Sequence, residues 1–528
     1  MGGIKMETKS QKKRSIDLKS IDLQSIVTPI ALFVVISALT ALFPQGSESV
    51  IMNLRNFFTS RLGVLYLVAG LFFLLLAVFI GGSKFGNIKL GNLDKPRHGE
   101  WAWGTMIFTA TLGADLLYYS MIEWAYYYNA HPMNMELESL ASKQDWASTY
   151  SLFHWGPIAW AFYILPATAF AYMLYVKGTQ RQKISEACRP ILKGRTDGIL
   201  GIIIDNIALI AQLAGVATTF SISAPLLTFA ICELTGWQVT PLMNILVLLV
   251  LVILYGGAVL FGIKGISLVA KACTISFGAL LICFMLMGDP IYIINTGVSA
   301  IGNLSQNLLK MATYTDPLML SGGFSQDWTM FFWAFWIVWA VATPFFIGKI
   351  SEGRTIRNMI FGGFGYGLAG TYLSFIVFGN FGLNLQTTGK ADIVGMMEAG
   401  ASESEAIISI INTTPIAPII LIILIISMTG FYVTTFDAVT MVVSGYSLKK
   451  LKTDEEPPKK VRIFWAVLFV LLPIALLFME GPRLMLQSVA IIAAFPMGAV
   501  LLIIVLGFFK EVRKQMAEKK TYPVEKAE

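Results

Sequence analysis

Four tryptophans fall inside one apolar stretch: Trp328, Trp333, Trp336 and Trp339. Phe331, Phe332 and Phe335 lie among them, and a basic cluster, Lys349, Arg354 and Arg357, follows at once. On a helix Trp336 and Trp339, three apart, share a face, which Phe332 joins four residues before Trp336. Indole faces attract a cation through the ring quadrupole. The same composition suits a lipid-facing helix with interfacial tryptophans, so its meaning depends on what surrounds it.

Three further groups bear on that choice. Thr109-Ala110-Thr111-Leu112-Gly113-Ala114-Asp115 puts glycine, threonine and an acid half-way along another apolar segment, with Glu123 two turns on. An ionisable residue at membrane depth is costly and marks a functional site unless packing satisfies it. Tyr118, Tyr119, Trp124, Tyr126, Tyr127 and Tyr128 follow it. A third segment begins Phe153-His154-Trp155-Gly156-Pro157 and continues through Trp160 to Tyr163, so that Trp155, Trp160 and Tyr163 cover a broad common helix face. His154 reads as a packing histidine rather than a proton carrier. Finally, Tyr432-Val433-Thr434-Thr435-Phe436-Asp437 offers paired hydroxyls which, in a loosened helix, coordinate a small hard cation such as sodium. Such pairs also serve as interhelical hydrogen bonds. Gly215-Val216-Ala217-Thr218-Thr219, after Asp205-Asn206, repeats the pattern elsewhere.

The elements that must position these residues are membrane helices. The chain has 528 residues, of which 56% are hydrophobic and only 13% charged, and a mean hydropathy of +0.69. Several apolar runs exceed the roughly 18 residues that span a bilayer, and in lipid the backbone must satisfy itself within helices. The expectation is an all-α polytopic membrane protein of about twelve helices, near residues 26–44, 60–82, 101–129, 150–176, 199–229, 240–262, 266–293, 328–349, 356–382, 414–446, 461–480 and 484–509. The four cysteines form no CxxC pattern, the three histidines have no metal spacing, and no glycine-rich phosphate loop stands out. No confident metal site, cofactor or nucleic-acid partner is expected, and a membrane enzyme finds no nucleophile–base pair to support it.

Charge orients the helices. Residues 84–97, 177–195, 349–357 and 449–462 are basic and fall on one side, while 129–146 and 383–411 carry acids and amides on the other. The positive-inside rule then puts both termini in the cytoplasm and the protein, multi-pass, in the cell membrane. Residues 1–24 are polar and basic, without a signal-peptide core. Residues 295–314 read as an amphipathic helix along the outer surface. The resulting division is a basic tail (1–25), two peripheral helices (26–100), a five-helix repeat (101–293), an outer helix and loop (294–327), a second five-helix repeat (328–510) and a short tail (511–528). A 5+5 inverted repeat of this kind puts a site near the midplane, on broken helices.

At this point the chain resembles a family. Trp328-Thr329 through Trp339, ending in Ile350-Ser351-x-Gly353-Arg354-Thr355-Ile356-Arg357, is similar to the signature of the betaine/carnitine/choline transporters, as is Phe153-His154-Trp155-Gly156-Pro157 through Tyr163. The run from Tyr314 to Thr329 and the Glu455–Arg462 loop look most like its carnitine/γ-butyrobetaine exchanger branch. The resemblance covers about residues 26–510. It implies a twelve-helix, leucine-transporter-like fold, commonly a homotrimer in the bilayer. It also implies an aromatic box for a trimethylammonium group, carried here by Tyr126, Trp155, Trp160, Tyr163, Trp336 and Trp339. Phe335 stands where relatives usually have another Trp, and Thr343 where the carnitine branch has a Met.

Departures from the family pattern bear on coupling. Asp115 replaces the last glycine of the G-x-G-x-G of sodium-dependent members, as an acid does in the family's proton-coupled choline transporters. Cys273 occupies the place where sodium-independent exchangers carry an Arg, with Lys271 two residues earlier. Thr434 and Thr435 match the family's sodium ligands in type. The expected function is therefore alternating-access secondary transport of a small quaternary-ammonium substrate, proton-coupled through Asp115 or by exchange. The alternative is a sodium-coupled betaine symporter for osmoprotection. H+ and Na+ are the candidate coupling ions. An osmosensor finds little support in the short mixed-sign tail from Lys510 to Glu528, and saturable counterflow would argue against a channel.

Overall fold

The computed structural model describes residues 21–521 apart from 111–112, 180, 262, 450, 452–454 and 478–482. Among the described residues the chain is helical, with isolated bridges (Ile21 with Leu448, Lys89 with Thr355) as its extended pairings. A helix stands at each of the twelve expected positions. In chain order the elements used below are α1 (Leu23–Leu42), α2 (Gly63–Gly82), α3 (Glu100–Ala110), α4 (Ala114–Tyr128), α5 (Leu140–His154), α6 (Pro157–Tyr175), α7 (Ile199–Thr235), α8 (Pro241–Leu260), α9 (Ile263–Met287), α10 (Pro290–Thr313), α11 (Met330–Trp339), α12 (Ala342–Lys349), α13 (Ile356–Ser374), α14 (Asn380–Thr387), α15 (Ala417–Tyr446), α16 (Lys459–Leu477) and α17 (Arg483–Thr521).

Local chemistry sets the ends. Thr240 and Thr355 each accept a backbone N–H in the following first turn, at 3.2 and 3.1 Å. Asp289 does the same for Ile291 and Tyr292 and so starts α10 directly after α9. The amphipathic helix thus begins about five residues before the expected 295, with Ile291, Ile294 and Val298 exposed. At the other end α17 runs on to Thr521, into the stretch expected to be tail, and Glu511 pairs with Lys177 at 2.5 Å. Residues 1–20 and 522–528, most of the first expected tail and the end of the second, lie outside the described residues.

Eight helices among the described residues are long and apolar enough to cross a membrane, nine when the bent pair around Trp339 counts as one span. The third expected segment misses that count for a physical reason: it is divided into pieces of 11 and 15 residues. Two helices are therefore interrupted. One break separates α3 from α4, with Gly113 as the N-cap of α4 and Asp115 in its first turn. The other separates α11 from α12, which meet at 53° across Ala340 and Val341. Pro344 lacks an N–H and so cannot continue the hydrogen-bond ladder back across this break. Gln212 of α7 compensates: its Oε1 accepts the Ala342 N–H at 3.2 Å.

Packing sorts inner helices from outer ones. The α5–α6 stretch is 94% buried over its most apolar window, α8 only 33%, so α5–α6 lies inside the bundle while α8 presents most of its surface to lipid. Small residues permit close crossings at two points that matter below. A Cβ on Gly367 of α13 would lie 2.5 Å from the Trp160 ring, and one on Gly430 of α15 would lie 2.6 Å from the Cys273 Cβ of α9.

Candidate functional site: an aromatic cavity between two broken helices

A cavity of about 550 Å3 lies between the two breaks. The α3–α4 side contributes Thr109, Gly113 and Asp115, and the α11–α12 side Phe335, Trp336, Trp339, Ala342 and Thr343. Trp155, at the α5–α6 corner, and Tyr163 of α6 close a third wall. Cys273 of α9 and Thr434, Thr435 and Asp437 of α15 complete it. The volume falls within the range of small-ligand sites.

Trp336 is the hub. Its ring centroid lies 4.6 Å from Tyr163, 5.5 Å from Trp155 and 5.8 Å from Trp160. Its indole N–H donates to the His154 carbonyl at 3.1 Å, and that of Trp155 donates to Glu123 Oε2 at 2.8 Å. Both rings are thus fixed by their polar edges, leaving their π faces for a guest. Tyr163 is within hydrogen-bonding reach of Thr343. Trp339 packs at Gly215, and its indole nitrogen has no hydrogen-bond partner among the described residues.

Two of the expected box residues stand elsewhere. Trp160 is completely buried behind Trp336, where it packs on Gly367 and its indole N–H donates to Thr371 Oγ1 at 3.4 Å. It supports the wall rather than forming it. Tyr126 lies on the far side of an aromatic stack: its ring centroid is 4.4 Å from Trp328, Trp328 is 6.4 Å from Phe332, and Phe332 is 5.9 Å from Trp155. Phe332 shares a face with Trp336, yet it stacks on His154 at 4.7 Å instead of meeting the cavity.

The coupling candidates do meet it. The Asp115 carboxylate folds over Gly113, and a side chain at that position would displace it. At the first turn of α4 the helix dipole favours negative charge, while burial opposes it. Cys273 donates to the Ser427 carbonyl at 3.6 Å and sits in the tight crossing with Gly430, which leaves no room for a side chain at position 430. Lys271 lies on the exposed side of α9. Around Thr434 and Thr435, α15 is not loosened: it is continuous from Ala417 to Tyr446, and the Thr434 hydroxyl donates to the carbonyls of Gly430 and Phe431 at 3.0 and 3.1 Å. Those carbonyls are engaged within the helix, and what α15 offers a cation is hydroxyl lone pairs.

The cavity extends toward one side only. Its far end is lined by Arg97, His98, Gln182, Lys349 and Glu456, all in or beside the basic loops. Partial burial, then the charges of Arg97 and Arg354, hold the His98 imidazole below its ordinary value, so it is uncharged near neutral pH. Arg462 pairs with Asp437 there and lies 3.7 Å from Glu456. Toward the acidic loops the Tyr126–Trp328–Phe332 stack closes the path.

The model of the betaine/carnitine/choline family transporters matches residues 25–517. The chain belongs to that family. It is a multi-pass membrane protein of a transporter family, and its relatives agree. A carnitine transporter of Acinetobacter baumannii is 26% identical over 496 residues, covering 94% of this chain and 90% of its own length. The glycine betaine transporter OpuD of Bacillus subtilis is 28% identical over 482 residues, 90% of this chain and 92% of that protein. An uncharacterized transporter of Escherichia coli, YeaV, is 28% identical over 457 residues, 85% and 93% respectively.

One contributor and one connection leave little trace in the sequence. Gln212 gives no periodic signal, being one of several polar residues scattered along a long apolar helix. Glu123 and His154 were visible as polar residues at depth, but their connection spans two helices and no spacing reveals it.

Proposed function

We propose that this chain is a secondary active transporter of a small quaternary-ammonium compound, a betaine-, carnitine- or choline-like molecule, working by alternating access. One observation carries the reading. Trp155, Tyr163, Trp336 and Trp339 wall a cavity at the meeting point of two interrupted helices, where transporters bind substrate. A trimethylammonium group has no N–H to donate, so its lost hydration is offset by π faces, each contributing about 0.5–2 kcal/mol. Several faces are therefore needed, and the wall holds three Trp and one Tyr face beside its phenylalanines. The closed aromatic stack on one side and the long approach on the other correspond to an inward-open state, with the basic loops and both termini in the cytoplasm. The two five-helix repeats would rock around the site. The protein acts without a cofactor, as a homotrimer in the cell membrane.

For coupling we favour protons through Asp115, which lines the same cavity as the aromatic wall and can report substrate occupancy to a proton, or else substrate–product exchange. A sodium-coupled betaine symporter is the second reading, favoured by Thr434 and Thr435 in that wall. Uptake of labelled betaine, carnitine and choline into proteoliposomes, under imposed pH or sodium gradients, separates these. The proposal expects saturable uptake of at least one, accelerated by inward proton flux or by internal substrate. Transport of none would end the substrate reading, and strict dependence on a sodium gradient would replace the proton reading with the symporter.

A further inference from the structure

Behind the wall runs a chain of buried polar side chains that the transport reading does not use. Glu123, Tyr127 and His154 are each completely buried, as is Thr329 to within 2%. Glu123 Oε2 accepts the Trp155 indole N–H at 2.8 Å, and Oε1 accepts the Tyr127 hydroxyl at 2.7 Å. Tyr127 Oη lies 2.8 Å from His154 Nδ1, and His154 Nε2 lies 3.1 Å from Thr329 Oγ1. A tyrosine has one proton to give. With the Tyr127 hydroxyl donating to Glu123, His154 Nδ1–H donates to Tyr127 and Nε2 accepts from Thr329, so every link has one donor and one acceptor. Glu123 and His154 Nδ1 are 3.5 Å apart. The chain joins α4, α5 and the start of α11, and it ends on the two rings at the centre of the cavity: Trp155 through Glu123, and Trp336 through the His154 carbonyl at 3.1 Å.

A carboxyl group here is an expensive way to fill space. Burying it carries a desolvation cost that a leucine of similar volume would not. Its two oxygens accept from the Trp155 indole and the Tyr127 hydroxyl, and so hold both rings by their polar edges. A cation is attracted to an aromatic box only when the faces converge on one point, and the tilt of Trp155 about its side-chain bonds decides whether its face does so.

We infer that Glu123 is a positioning residue for substrate recognition: through the Trp155 indole it fixes the ring plane that, with Trp336, sets the affinity for a quaternary-ammonium group and its preference over less methylated amines. The inference rests on the reading of the aromatic cavity as the substrate site. Glu123 itself does not line the cavity and touches no substrate.

The test is a double-mutant cycle in proteoliposomes, using whichever of labelled choline, glycine betaine or carnitine the wild type transports. Glu123→Leu removes both acceptors and is expected to raise KM about tenfold, with a smaller fall in kcat, and to reduce discrimination against the dimethyl analogue of the same amine. Glu123→Gln keeps an acceptor for Trp155 and lets the rest of the chain reverse its donors, so KM stays within about threefold. In a Trp155→Phe background, which has no indole N–H to hold, Glu123→Leu should add less than about twofold. If Glu123→Leu is not recovered from membranes, Glu123→Asp, which withdraws the acceptor by one methylene, carries the same prediction. A wild-type KM in the recovered Leu or Asp variant overturns the inference, and so does an equal rise in both backgrounds, which marks a merely structural role. Trp155→Ala distinguishes the underlying reading: undiminished transport in that variant removes the aromatic site itself, whereas impaired transport there with an indifferent Glu123 removes only the positioning role.

Discussion

The two interrupted helices that meet at the cavity end in opposite chemistry. At the α3–α4 break the chain offers a carboxylate, Asp115, in the first turn of α4 over Gly113. At the α11–α12 break it offers aromatic faces, Trp336 and Trp339, and fixes its backbone through Gln212. Both breaks expose helix ends that a continuous helix would hide, and both do so where the bundle is wide enough to hold a ligand. On the proposed function the difference divides the labour. The aromatic break would attract an onium group that cannot donate a hydrogen bond. The acidic break would answer to protons or to the sign of the guest, and its state could change without altering the box.

Variants that remove one side at a time test that division. The largest effect is expected from Trp336→Ala, which deletes the ring packed on Tyr163, Trp155 and Trp160. Uptake kcat/KM should fall at least about a hundredfold, since a cation face and the support of its neighbours are lost together. Undiminished transport would sink the box. Asp115→Asn should act on the other side: gradient-driven accumulation disappears, while counterflow of preloaded substrate stays within about threefold. Intact accumulation in this variant would end the proton reading. Smaller still is Gln212→Leu. It leaves the Ala342 N–H without its partner, a cost of about 1–3 kcal/mol, read as a lower thermal midpoint of the purified protein with a change in KM below about threefold. An unchanged midpoint would mean that the break does not depend on Gln212.

The fold was readable where physics acts on length alone. Apolar runs and basic loops located a helix at each of the twelve expected positions, because a bilayer demands continuous hydrophobic stretches and the loops keep their charge on one side. The α3–α4 interruption was foreshadowed by Thr-x-Gly-x-Asp, and the aromatic wall by tryptophans at helical spacing. Spacing gives a face, however, and not what covers it. Trp160, expected on one face with Trp155, lies on α6 beyond the corner that holds Trp155 and turns onto Gly367 of α13, some two hundred residues away in sequence. Tyr126 is cut off by Trp328 and Phe332. Thr434 and Thr435 read as a loosened ion site, yet α15 passes through them unbroken because their hydroxyls lie on an otherwise strongly apolar helix whose ladder is complete. Tertiary contacts of this kind leave no periodic trace.

The central claim is that the cavity holds its substrate by charge on aromatic faces rather than by fit alone. Binding of choline and of its uncharged carbon isostere, 3,3-dimethylbutanol, to the purified protein tests it directly, since the two differ in charge and hardly in shape. The account predicts that choline binds at least about tenfold more tightly, the equivalent of one or two cation–π contacts, and that Trp336→Ala erases the difference. Equal affinity of the two compounds for the wild-type protein would contradict it.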